Sequence, residues 1–227
     1  MIRRLLLILT ISIFVLSCTK ENNAPKRSLG FEFYPLKKGN IWVYDVDSTF
    51  YDKFYNGRST NYVFQLKDSI ADTYMSMVGD TVYRFERYKK TADSKVWTYQ
   101  KTFTRSIHLR SAEENIDNQI FVRFIFPPKL GASWNGNSRN ILEKQNYSVT
   151  KFPERLEIGN TMYDSVAVVQ QSDEFNLIQE DIVSESYAKG IGLIKKEIRQ
   201  IEKDISSGKI MHGTICTIDL NRFNRVP

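Results

Sequence analysis

From Ile41 onward the chain alternates. In "IWVYDVDSTFY" (Ile41 to Tyr51), Trp42, Tyr44 and Val46 share one face, and Asp45 and Asp47 share the other. Successive side chains of a strand point to opposite faces, so this period of two reads as a half-buried strand. "NYVFQLKDSI" repeats the pattern, with Tyr62, Phe64 and Leu66 opposite Gln65 and Lys67. Turn residues then recur at hairpin spacing. Gly79-Asp80 sits between two strand-like runs, Gly159-Asn160 splits Tyr147 to Val169, and "SSGK" (Ser206 to Lys209) precedes a last apolar run. "QIFVRFIF" (Gln119 to Phe126) is apolar except for Arg123 and is expected in the sheet interior. Pro153 has no ladder donor and should mark a bulge or an edge.

Two segments are ambiguous. "FNLIQEDIVSESYAKG" (Phe175 to Gly190) can be read as a helix stopped by Gly190 or as a strand. In "IKKEIRQIEKDI", Ile194, Ile198, Ile201 and Ile205 stand at helical spacing, but Gly192 and the flanking β-rich runs favour strand. The connections leave no room for βαβ crossovers. The expected fold is therefore all-β or mainly β. It is a single antiparallel twisted sheet, or a partly open barrel or half-barrel, with few short helices.

One pattern occurs twice. "FYPLKKGNIWVY" and "FPPKLGASW" both contain Pro-x-Lys-x-Gly-x-x-Trp: Pro35, Gly39 and Trp42, then Pro127, Gly131 and Trp134. Pro fixes an extended approach, Gly permits a turn, and Trp enters a strand and the core. None of these residues is a plausible catalyst. The echo reads as two equivalent strand entries, and it requires both tryptophans to be largely buried, each after a tight turn.

The chain start follows a different logic. Arg3 and Arg4 precede "LLLILTISIFVL" (Leu5 to Leu16), which is shorter than the roughly 20 apolar residues of a membrane span. This is the layout of an export signal. "VLSC" (Val15 to Cys18) has the form of a lipobox: residues 1–17 form the signal peptide and Cys18 accepts the lipid. Residues 18–28 form a flexible tether, and residues 29–227 one β-rich domain. The expected location is the outer membrane, lipid-anchored, because Thr19 rather than Asp follows Cys18; the periplasmic and surface faces both stay open.

Removing Arg3 and Arg4 takes the formal charge from +6 to +4. Acids are interspersed, which argues for a solvated surface and against nucleic acid. "RYKK" (Arg87 to Lys90) and "IKKEIRQIEK" (Ile194 to Lys203) are the densest basic patches and are expected as wet strand faces. With Cys18 lipidated, Cys216 is the one remaining thiol, set in an apolar run where it packs as a small hydrophobe.

Chemistry leaves few traces. His212 and Cys216 would lie about 13 Å apart on one strand, at ~3.3 Å per residue, too far for one metal. No HExxH or paired CxxC occurs. Ser133 in "GASWN" lacks the second Gly of a nucleophile elbow. Asp45, Asp47 and Asp52 fall on the solvent face. "GIG" (Gly190 to Gly192) reads as a tight turn with close backbone approach rather than a phosphate loop. No catalytic residue, metal ligand or cofactor is expected. Asp-Ser/Thr followed by a small or aliphatic residue recurs at Ser48, Ser69, Thr81 and Ser165, and resembles the O-glycosylation sequon of Bacteroidota envelope proteins. A turn leading into a strand has the same composition.

"YPLKKGNIWVY", "ERLEIGNTMYDSVAVV" (Glu154 to Val169) and "YAKGIGLIKKEI" (Tyr187 to Ile198), in that order, resemble predicted Bacteroidota lipoproteins of uncharacterised function. The resemblance implies an envelope lipoprotein and brings no catalytic residues. The β-rich character is also similar to half-barrel carriers of lipids and lipoproteins in the bacterial envelope. Three functions follow as expectations. The first is a lipid-anchored module that binds an envelope protein or component without transforming it. The second is a carrier of an apolar ligand, lined by aromatics such as Phe121, Phe124, Phe126, Trp97 and Tyr99. The third is a hydrolase.

Overall fold

The computed structural model describes residues 28–226. Their strands are β1 (Ile41–Asp52), β2 (Arg58–Met75), β3 (Thr81–Thr91), β4 (Thr98–His108), β5 (Ser111–Ile116) and β6 (Gln119–Ile125). A second run follows: β7 (Ser133–Asn135), β8 (Asn146–Ile158), β9 (Thr161–Phe175), β10 (Gln179–Ala188), β11 (Gly192–Lys203) and β12 (Ile210–Asn224). Two short 3₁₀ turns, Phe31–Phe33 and Lys53–Tyr55, are the helical elements among the described residues.

All twelve strands form one antiparallel sheet in the order β6-β5-β4-β3-β2-β1-β12-β11-β10-β9-β8-β7. Almost every strand pairs with its neighbours in sequence, and β12 returns to pair with β1 along Ile41↔Asn224 to Tyr51↔Gly213. The result is an up-and-down meander curled into a nearly closed barrel, with its seam between β6 and β7. Three hydrogen bonds to backbone carbonyls bridge the seam. The Val122 amide donates to Gly136 O at 2.8 Å, the Trp134 indole N–H to Val122 O at 2.8 Å, and the Asn140 side-chain amide to Ile120 O at 2.9 Å.

Both ambiguous segments are strands, β10 and β11. The four isoleucines at helical spacing in the second segment do not form one face: Ile194 and Ile198 share a face of β11, Ile201 falls on the other, and Ile205 lies exposed beyond the strand end. Pairing with β9 and β12 satisfies the backbone, which overrides a weak period. Pro153 stands where β8 breaks register repeatedly against β9 and runs past its short pairing with β7. One expectation is corrected. "QIFVRFIF" contains β6, which stands at one end of the strand order rather than in the sheet interior. Its apolar character has another cause: Phe124 and Phe126 are buried against the N-terminal segment.

That segment caps one end of the barrel. Phe31 packs edge-on against Phe126, and Phe33 stacks on Phe124. Tyr34 lies against Tyr187. The Gly190 amide donates to Glu32 O at 2.7 Å. A second buried cluster, built on Trp42, Tyr44, Ile70, Phe85 and Phe103, fills the barrel beneath it. Burying aromatic side chains at about 25 cal/mol per Å² of apolar area is the main favourable term here.

The repeated Pro-x-Lys-x-Gly-x-x-Trp segments form the same turn at Gly, although the peptide bond before Pro127 is cis and that before Pro35 is trans. In each, the residue after Gly closes a turn: Asn40 N–H donates to Lys37 O at 3.1 Å, and Ala132 N–H to Lys129 O at 3.0 Å. Gly39 and Gly131 have φ of 91° and 78°, in the left-handed region that favours glycine. Their amides donate to Ile70 O on β2 and Val149 O on β8, at 2.9 and 2.8 Å. Each indole N–H reaches a backbone carbonyl, Ile191 O for Trp42 and Val122 O for Trp134. The turns thus open the first strand of each six-strand run. They differ in burial: Trp42 is 3% exposed, whereas Trp134, at the seam, is half-buried. The close backbone approach read from "GIG" is also present, since a Cβ on Gly192 would lie 3.2 Å from Pro35 Cδ.

Candidate functional site: a charged barrel interior

The strands bring charged side chains together inside the barrel. Asp68 on β2 and Arg87 on β3 face each other across a ladder pair and form a two-pronged bond, at 2.7 and 2.6 Å. Arg105 on β4 is paired with Glu114 on β5. Arg123 on β6 is the extra residue where the β5–β6 register shifts, so a bulge re-aims it inward. Glu114 sits between the two guanidinium groups. Its Oε2 accepts from Arg105 Nε at 2.9 Å, and its Oε1 accepts from Arg123 Nε at 3.0 Å. The second nitrogen of each guanidinium is equally near, at 2.8 and 3.0 Å. On the far wall, Glu185 on β10 bonds Lys196 on β11 at 2.8 Å and accepts from the Tyr187 hydroxyl at 2.6 Å. Arg123 also donates to the Tyr147 hydroxyl at 3.3 Å.

Aromatic faces line the guanidinium groups. Arg105 stands 4.7 Å from the Phe85 centroid and 5.1 Å from that of Phe103; Arg87 also lies 5.1 Å from Phe103. Between these walls is a cavity of about 230 Å³, lined by Arg87, Arg105, Glu114, Arg123, Glu185 and Lys196. Tyr44, Leu66, Phe103, Ile116, Leu193, Ile198 and Ile218 complete it.

Protonation is locked by this arrangement. Burial by itself would raise the Glu114 carboxyl, but Arg105 and then Arg123 outweigh it and hold the group well below the usual carboxylate range. Glu185 follows the same logic: burial raises it, and Lys196 and Arg123 lower it further. Burial pushes the Tyr34, Tyr44 and Tyr187 hydroxyls up, so all three keep their protons.

The charged interior corrects the sequence reading of the basic patches. Arg87 and Lys196 belong to "RYKK" and "IKKEIRQIEK", yet both line the cavity rather than a wet strand face. The missed signal was parity. Asp68 shares the face of Leu66 and Ile70, Arg105 that of Phe103, and Lys196 that of Ile194 and Ile198. A charge on the apolar face of a strand has to meet a partner inside.

Other residues singled out in the sequence disperse. Asp45 and Asp47 are exposed, and Asp45 accepts bonds from Gln65 and Asn221. Cys216 is buried on β12, and burial raises its thiol. His212 packs edge-on against Phe50, and among the described residues no group of His, Cys, Asp and Glu could hold a metal. His108 bonds Asp80 through Nδ1 at 2.6 Å, a pair the sequence did not suggest; among the described residues no hydroxyl bonds its other ring nitrogen. Ser48 lies on the inward side of β1 beside the Cys216 thiol, Ser69 and Ser165 are half-buried, and Thr81 is exposed at a hairpin. The aromatics proposed to line a groove separate: Phe124 and Phe126 are core, Trp97 lies under Lys67 and Lys90, and Tyr99 is exposed. Cys18 lies outside the described residues.

No protein-family model matches the chain, and no curated protein sequence does. Two solved structures are similar in outline. One, from Bacteroides fragilis NCTC 9343, is described as an exported protein with a YmcC-like fold. It is 10% identical, with a TM-score of 0.47, over 85% of this chain and 99% of that one. The other, from Parabacteroides distasonis ATCC 8503, is described as a lipoprotein. It is 11% identical, with a TM-score of 0.44, over 85% of this chain and 98% of that one.

Proposed function

We propose that this chain is a lipid-anchored, non-catalytic binding module of the bacterial envelope, held at the outer membrane through Cys18. The lipobox and the short h-region support the anchor. The observation that carries the binding reading is the network of paired charges inside the barrel, with Glu114 between the Arg105 and Arg123 guanidinium groups and Glu185 on Lys196. Arg keeps its proton at any working pH, and Glu114 is held ionised by two guanidinium groups. General acid–base chemistry needs a group that changes protonation near the working pH. Groups locked in one state recognise charge instead. The same interior weighs against a carrier of a wholly apolar ligand, because such a ligand would leave the buried charges without a polar partner.

Native mass spectrometry of gently purified protein from the native host tests both parts. The expected spectrum shows a diacylglycerol-modified Cys18 and no stoichiometric free lipid. A bound uncharged or diacyl lipid at one per chain refutes the binding-module reading in favour of the carrier. Cys18→Ala should move the protein out of the membrane fraction, and retention there refutes the anchor. The same intact mass tests glycosylation, for which Thr81 is the accessible candidate.

A further inference from the structure

The cavity charges do not balance. Four cations line or border it, Arg87, Arg105, Arg123 and Lys196, against three carboxylates, Asp68, Glu114 and Glu185. Arg87 has Asp68 and Lys196 has Glu185, so the surplus falls on Arg105 and Arg123, which share Glu114. A buried charge without a counter-charge is strongly unfavourable, so this interior is built to receive one further negative charge.

A second observation points to the same place. The Tyr34 side-chain oxygen is buried and has no hydrogen-bond partner. Tyr34 lines a small cleft that shares Tyr44, Arg105 and Leu193 with the cavity. The Arg105 guanidinium lies 5.6 Å from the centroid of the Tyr34 ring. Buried hydroxyls are almost always bonded, and this one keeps its proton. It is a donor with no acceptor, beside the surplus positive charge.

Size and wall chemistry narrow the ligand. The volume of about 230 Å³ matches roughly eight waters at ~30 Å³ each. A phosphate group carries about −1.5 to −2 and would oppose Glu114 and Glu185. A carboxylate carries one charge and pairs with guanidinium in matching geometry. Leu66, Ile116, Leu193, Ile198 and Ile218 offer the remainder of the ligand an apolar wall.

We propose that the barrel interior binds a small organic monoanion, a carboxylate with a short apolar body, placed between Arg105 and Arg123 and bonded by the Tyr34 hydroxyl. This deepens the binding-module reading and rests on it.

The test is a calorimetric titration of the purified full chain with hexanoate, and with hexanol, hexylamine and inorganic phosphate for comparison. The expected result is saturable binding of one hexanoate per chain, with each comparison compound at least tenfold weaker. Tyr34→Phe removes a hydroxyl that bonds nothing else in the protein, so the fold should survive while hexanoate affinity drops about tenfold or more. Arg123→Gln should abolish binding; because that variant can also destabilise the barrel, Tyr34→Phe carries the decision. Absence of saturable hexanoate binding, or unchanged affinity in Tyr34→Phe, overturns the anion site and leaves the binding-module reading to the mass spectrum. Hexanol binding as tightly as hexanoate overturns both in favour of an apolar carrier.

Discussion

Replacing Glu114 by Gln tests the energetics of the interior most directly. Each carboxylate oxygen of Glu114 meets two nitrogens of one guanidinium, at 2.8 to 3.0 Å. Its side chain is 10% exposed, and those of Arg105 and Arg123 are 12% and 14%. Gln keeps the shape but removes the charge, and its NH₂ group turns donors toward a guanidinium that also only donates. Breaking a buried ion pair from one side costs about 3–5 kcal/mol, because the remaining charge stays buried and uncompensated. In a domain of this size each kcal/mol shifts Tm by about 2–4 °C, so the expected fall is about 6–20 °C. Urea and thermal unfolding of Glu114→Gln against the unmodified chain measures it. Two comparisons sharpen the outcome. Asp164→Asn breaks the Arg155–Asp164 bridge at 3.1 Å, where both side chains are at least 70% exposed, and should cost about 0–1 kcal/mol. The triple change Arg105→Met, Glu114→Leu, Arg123→Met replaces the whole ionic group by apolar side chains and should recover most of the loss. A Glu114→Gln loss no larger than that of Asp164→Asn would refute the reasoning, since the network would then behave like a surface pair.

Stability should also respond to acid. Glu114 and Glu185 have folded values below the unfolded carboxylate, near 4.3. Their contribution is therefore fully present above that pH and lost as pH falls through the folded values; Glu114→Gln should flatten the acid limb of a stability–pH profile. Gly39→Ala and Gly131→Ala separate strain from crowding. Both place a Cβ at positive φ for about 1–2 kcal/mol, but only Gly39 would meet a neighbour, Val226 Cγ2 at 2.7 Å, so it should lose more in urea unfolding. Trp42→Ala should cost about 3–5 kcal/mol because Trp42 stacks on Phe85 and Phe223 in the core; Trp134→Ala, half-buried, should cost less. Cys216 should resist maleimide in the folded chain and react once urea exposes it, because the thiol is buried and raised.

The fold was largely legible because strand alternation is a local property. Trp42, Tyr44 and Val46 announce an inward face whatever lies opposite, and Gly79-Asp80 and Gly159-Asn160 announce hairpins within a few residues. Where a local pattern was weak, as at Ile194 to Ile205, neighbouring strands decided by supplying ladder partners. The position of β6 was not legible, since an apolar run has the same appearance in a central strand and at a seam covered by Phe31 and Phe33. The echo was legible as a turn followed by Trp. Its partners, Ile70 and Val149, were not, because they lie on the next strand of each run.

The sequence by itself determined the antiparallel strand content and the two matched strand entries, and it is the whole basis of the proposed export signal and lipid attachment at Cys18. Each depends on residues close together in the chain. Tertiary structure alone decided that β12 closes onto β1, and that Asp68, Arg87, Arg105, Glu114, Arg123, Glu185 and Lys196 meet inside. The physical reason is distance along the chain. Those charges come from seven strands spread over more than half of the domain, and each is locally indistinguishable from a solvated surface charge. Only the curl of the sheet turns their faces inward, where water is scarce and an unbalanced charge needs a partner.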